Sequence, residues 1–125
     1  MNTDNQNKLS EKIIGCAFKV HNTLGCGFLE KVYENALTHE LRKNSLSVEQ
    51  QKPIQVIYDN IIVGDYIADI LVESAVILEL KAIKAIDKIH EAQLLNYLKA
   101  TGLNLGLILN FGQPKLQIRR FVNNF

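Results

Sequence analysis

Apolar residues first recur with helical spacing at Ile13, Ile14, Ala17, Phe18, His21 and Leu24, behind Ser10 as an N-cap. Gly25-Cys26-Gly27 breaks that helix. A second helix is predicted from about Leu29 to Asn44, with Leu29, Val32, Tyr33, Ala36, Leu37 and Leu41 as its apolar stripe. After Asn44 the period changes to that of strands. Val48 to Tyr58 is rich in β-branched residues, and Pro53 marks it as an edge or a strand start. Asp59-Asn60 predicts a hairpin turn. Ile61 to Glu73 follows as a strand, Ser74-Ala75 as a turn and Val76 to Ile83 as a third strand. Ile89 to Thr101 predicts a helix closed by Gly102. Leu105 to Asn110 is a short apolar strand. Gly112-Gln113-Pro114 turns the chain into a last edge strand from Lys115 to Phe121. This order predicts an α/β fold, a mixed β-sheet of four or five strands flanked by α-helices. The strand–helix–strand unit from Val76 to Asn110 requires a parallel pair.

The 125 residues suit one domain, expected over 9–125 behind a frayed 1–8. Apolar residues make up 47% of the chain, charged residues 22%, and the formal net charge is +1. A nucleic-acid surface would therefore have to be a local patch rather than a property of the whole molecule. Cys16 and Cys26 are too few for a disulfide framework or a zinc finger, and both are expected to be reduced packing residues. The polar start and the lack of a long apolar run point to the cytoplasm and away from a membrane.

Within this pattern a few charges are out of place. Val76-Ile77-Leu78-Glu79-Leu80-Lys81-Ala82-Ile83 looks like an interior strand, yet alternation puts Glu79 and Lys81 on one face with Ile77 and Ile83. In the strand before it, Asp69 interrupts the run Tyr66 to Val72. A symmetric hairpin about Ser74-Ala75 pairs 69 with 80, one position from 79, and a bulge could bring the carboxylates of Asp69 and Glu79 together. Neighbouring carboxylates repel unless a cation lies between them, and hard divalent ions take such oxygen ligands. Taken alone, Glu-x-Lys reads as a salt bridge on a solvated face, and it is Asp69 in the adjacent apolar strand that opens the second reading. Glu30, early in its helix, reads on its own as a complement to the helix dipole. Gln93 and Tyr97 share a helix face one turn beyond His90.

In order, Gly27-Phe28-Leu29-Glu30, Asp69, Glu79-Leu80-Lys81 and Gln93-Leu94-Leu95-Asn96-Tyr97 resemble the GxxE, D, ExK and QxxxY series of RecB-type nucleases in the PD-(D/E)XK superfamily. Gly27 to Tyr33 is similar to the signature of the small GxxExxY proteins, as are Tyr66 to Val72, His90 to Gln93 and Leu109 to Gly112. Ala68 stands where the superfamily's name has Pro. The resemblance implies a restriction-endonuclease-like fold and a Mg²⁺- or Mn²⁺-dependent nuclease. It implies Glu30, Asp69, Glu79 and Lys81 as catalytic residues. Glu30, Asp69, Glu79 and the Leu80 carbonyl would hold the metal, and Gln93 and Tyr97 would contact substrate. Lys84, Lys88, Lys99, Arg119 and Arg120 are candidates for phosphate contacts. The implied partner is nucleic acid, DNA ahead of RNA, with a homodimer left open. The competing readings are a non-catalytic nucleic-acid or protein-binding module, and a structural subunit with its acids in salt bridges.

Overall fold

The structure, a computed structural model, describes residues 3–123. Eight elements follow in the order α1 (Thr3–Leu24), α2 (Glu30–Lys43), β1 (Val48–Tyr58), β2 (Ile61–Val72), β3 (Val76–Lys81), α3 (Lys88–Thr101), β4 (Leu105–Asn110) and β5 (Gln117–Val122). The strands form one sheet in the order β1-β2-β3-β4-β5. β3 and β4 are parallel and the other neighbouring pairs antiparallel, as the crossover through α3 requires. This is the mixed sheet flanked by helices that the sequence predicts.

Two apolar cores lie on its two faces. Leu9, Ile13, Cys16, Ala17 and Val20 of α1 and Tyr33, Leu37 and Leu41 of α2 pack on Leu78, Leu80, Leu107 and Leu109. Leu94, Tyr97 and Leu98 of α3 pack on Leu71, Ile77 and Ile108 from the other side. β3 and β4 are covered on both faces, which explains their nearly unbroken aliphatic sequence. Gly106 gives α3 its close approach, because a Cβ there would meet the Leu94 side chain.

Several local expectations need correction. α1 begins at Thr3 rather than at a Ser10 cap, so 3–8 is helical, while residues 1 and 2 lie outside the described residues. No Gly or Pro interrupts 3–9, Asp4 favours the first turn, and Asn7 accepts a hydrogen bond from Arg120 at 3.0 Å. Ser10 is itself buried. Leu29 is not part of the α2 stripe; it is the exposed residue that precedes the helix. Cys26 is exposed between glycines rather than packed, although Cys16 is buried.

The β2–β3 register also differs from the symmetric one. The pairs Ile70↔Leu78, Leu71↔Ile77 and Val72↔Val76 leave three residues in the turn. Two of them, Glu73 and Ser74, take positive φ, and the Glu73 N–H donates to the Ser47 carbonyl at 2.8 Å. Continued by one step, that register sets Asp69 opposite Glu79 with no bulge.

Candidate active site

β2 pairs with β3 over three residue pairs and with β1 almost throughout its length. The two strands therefore part beyond Ile70 and Leu78, leaving a fork in the sheet. Side chains take over where the ladder stops. The Leu80 N–H donates to Asp69 Oδ2 at 2.8 Å, and the Asp69 N–H donates to Glu79 Oε1 at 3.3 Å. Each carboxylate thus caps the opposite strand.

α2 delivers Glu30 to the same fork. Gly25 and Gly27 take positive φ and turn the chain between the helices. Tyr33, fully buried and stacked on Phe111 at 4.7 Å, anchors that turn: its hydroxyl donates to the Gly25 carbonyl at 2.6 Å and accepts from the Phe28 N–H at 3.2 Å. α2 then starts at Glu30. This gives the Gly-to-Tyr block a physical sense, because the tyrosine holds the loop that aims the glutamate.

The charges of these groups act on one another. Burial pushes the Glu79 carboxyl up to about 8, with the Asp69 and Glu30 charges adding to the rise. Burial also raises Asp69, against the pull of its Leu80 hydrogen bond, and the Glu34 charge adds to the rise. Glu30 lies on an exposed stretch, yet partial shielding of its carboxyl raises it, followed by repulsion from Asp69. The Lys81 ammonium lowers all three. The structure therefore brings Glu30, Asp69, Glu79 and Lys81 into one electrostatic neighbourhood. All the acids offer the oxygen donors that a hard divalent cation takes. Among the described residues, however, no three His, Cys, Asp or Glu side chains draw together as a metal cage would. Asp69 and Glu79 accept from backbone amides instead. Leu80 contributes its N–H to Asp69, and its side chain is fully buried.

α3 approaches from the other face. Gln93 Nε2 donates to the Tyr97 hydroxyl at 2.9 Å, and burial raises that phenol, with the Glu79 and Asp69 charges next. Both residues line a groove of about 900 Å³ with Gln55, Tyr66 and Lys99. The groove lies beside the carboxylates, none of which lines it; the chemistry of the fork outweighs the size of the groove in locating the site. His90 is absorbed by helix capping, its Nδ1 accepting from the Asp87 N–H at 3.0 Å. Of the candidate phosphate contacts, Lys99 lines the groove, and Lys84 and Lys88 lie on or beside the β3–α3 connection. Arg119 and Arg120 lie on the far edge strand, two strands from β3.

Two residues to which sequence reasoning gave no role support the site. Glu34, one turn after Glu30, is buried and accepts from Lys31 Nζ at 3.0 Å, Gln50 Nε2 at 2.7 Å and Gln51 Nε2 at 2.9 Å. Asn110 is fully buried and joins the end of β3 to the loop after β4. Its Oδ1 accepts from the Ile83 and Gly112 N–H groups, and its Nδ2 donates to the Ile83 carbonyl and Gln117 Oε1, all at 3.0 Å. Gly112 is required there because a Cβ would run into the Ile83 backbone. The signal for Asn110 was a polar residue closing an apolar strand. Glu34 gave none, being one more acid on a helix.

A family model described as the PD-(D/E)XK nuclease superfamily matches residues 7–121. The crystal structure of SSO0001 superposes with a TM-score of 0.58 at 16% sequence identity, over 77% of this chain and 51% of that one. The chain thus spans about half the length of that protein, and the likeness is one of fold. No curated protein matches the chain.

Proposed function

This chain belongs to the PD-(D/E)XK nuclease superfamily, and on that premise we propose that it is a divalent-metal-dependent nuclease cleaving phosphodiester bonds. The observation that carries the proposal is the meeting of Asp69, Glu79 and Lys81 where β2 and β3 part, with Glu30 facing the same charges from α2. Glu30, Asp69, Glu79 and the Leu80 carbonyl are the groups that would hold Mg²⁺ or Mn²⁺. When bound, the cation supplies Lewis acidity at the scissile phosphate. Lys81, half-buried beside these acids, places a fixed positive charge where the phosphate gains negative charge in the transition state. Tyr97 and Gln93 hold each other's polar atoms at the other side of the fork and orient the strand being cut.

Within this proposal the substrate is DNA ahead of RNA, which the substrate panel below tests. A reducing, cytoplasmic setting accords with the free thiols of Cys16 and the exposed Cys26. A homodimer belongs to the same proposal. Its support is the exposed apolar tip of the β1–β2 hairpin, with Ile57, Tyr58, Ile61, Ile62 and Val63. Sedimentation that gives only monomer at high micromolar concentration would remove it.

The decisive experiment is a panel of single- and double-stranded DNA and RNA incubated with Mg²⁺ or Mn²⁺. Wild-type protein is expected to cut at least one substrate, and Lys81→Ala to lose about 10²-fold or more in rate. Binding without cleavage by the wild type would favour a non-catalytic module on the same fold.

A further inference from the structure

In a regular strand, neighbouring side chains point to opposite faces. Gln50 and Gln51 break that rule, because both donate to the carboxylate of Glu34, one to each oxygen, at 2.7 and 2.9 Å. They can do so because Gln51 takes a left-handed backbone, φ 55°. The same position is where the sheet exchanges faces. Val48 belongs to the core beneath α1 and α2, yet Ile54, of the same parity, belongs to the core beneath α3. On β2 the exchange falls between Ile70 and Ala68, that is, at Asp69. The β1–β2 ladder passes from Gln50↔Ile70 to Lys52↔Ala68, so Gln51 and Asp69 face each other across the skipped rung.

We infer that Glu34 is a positioning residue: by holding Gln50 and Gln51 together it locks the kink in β1 and so turns Asp69 out of strand alternation, toward Leu80 and Glu79. A left-handed conformation is unfavourable for glutamine, and the two hydrogen bonds to a buried carboxylate offset that cost. Glu34 also accepts from Lys31, which adds one cation to the acidic fork. The metal readout below rests on the nuclease reading; the amide readout does not.

The test uses the full chain. In the metal-free protein, the amide resonance and hydrogen exchange of Leu80 report its bond to Asp69. Glu34→Gln is expected to move that resonance and speed its exchange about tenfold or more. It is also expected to weaken Mg²⁺ or Mn²⁺ binding, measured by calorimetry, by about 10- to 100-fold. Adding Gln51→Gly should recover most of both losses, since glycine takes the kink without strain, whereas adding Gln51→Ala should not. The single variants Gln51→Gly and Gln51→Ala carry the same contrast should Glu34→Gln not fold. An unchanged Leu80 amide in folded Glu34→Gln, or equal behaviour of the glycine and alanine variants, overturns the inference. If the Leu80 amide responds as expected but wild-type protein binds no metal, the inference stands and the nuclease reading fails.

Discussion

Glu79 embodies the sharpest conflict in the molecule, a carboxylate on a central strand, buried and next to Asp69. Its folded pKa lies near 8, well above its ordinary 4.5, with burial the main cause. Between those values the folded metal-free chain holds a proton that the unfolded chain has lost. Stability from this group is therefore full below pH 4.5 and is lost as pH rises through about 8. The slope is at most about 1.4 kcal/mol per pH unit. Asp69 and Glu30 are displaced in the same direction and add to the same sign. Glu79→Gln keeps the shape and removes the titration. In EDTA it should melt higher than wild type at pH 9, and the gap should close toward pH 5. Excess Mg²⁺ should raise the wild-type melting temperature at pH 8 and leave Glu79→Gln unmoved. A wild-type advantage in EDTA that grows toward pH 9 would mean that Glu79 is a paired structural anion. What sequence reasoning could see here was the oddity of Asp69, Glu79 and Lys81 in apolar strands. It could not see Glu34, because an acid on a helix is buried only when partners from elsewhere arrive, here Gln50 and Gln51.

The elements were legible wherever a single local signal decides them. β1 and β4 run over the predicted residues, Asp59 and Asn60 take the left-handed conformations of a hairpin turn, and Gly102 ends α3 at φ 74°. The start of α1 was misread because Ser10 looks like a cap while the helix is continued by contacts with Asn7 and Leu9. The β2–β3 register was missed because it depends on positive φ at Glu73 and Ser74, which neither residue type announces. Asn110 works on this scale as well, since it fastens the end of β3, and with it Lys81, to the loop after β4. The Phe111 N–H completes the junction by donating to the Lys81 carbonyl at 2.8 Å. Replacing Asn110 with Ala leaves the Ile83 and Gly112 N–H groups without their partner in a part-buried junction. Urea unfolding should register a loss of about 3 kcal/mol. A loss below about 0.5 kcal/mol would mean that solvent satisfies those groups and that the junction is not closed.

A chain of net charge +1 has no long-range pull on a polyanion, so any nucleic-acid affinity must come from a local patch of cations. Lys31 and Lys81 lower the Asp69 carboxyl, and Lys99 lines the adjoining groove. Arg119 and Arg120 sit on β5 at the opposite edge of the sheet from β1, and Arg120 is engaged with Asn7. If Lys31, released from Glu34, joins Lys81 and Lys99 in contacting phosphates, log K for duplex DNA should fall with log salt at a slope of about −2.7. That is shallow beside the slopes of strongly basic DNA-binding domains. Two variants then divide the surface. Lys99→Ala should reduce the slope by about 1, while Arg119→Ala with Arg120→Ala should leave it unchanged. The binding should be followed by anisotropy in Ca²⁺, a hard oxygen-seeking ion larger than Mg²⁺, to keep substrate intact during the titration. A slope that collapses only in the arginine double variant would move the nucleic-acid surface to the β5 edge. It would leave the acidic fork without a substrate path, since β5 lies two strands away from β3.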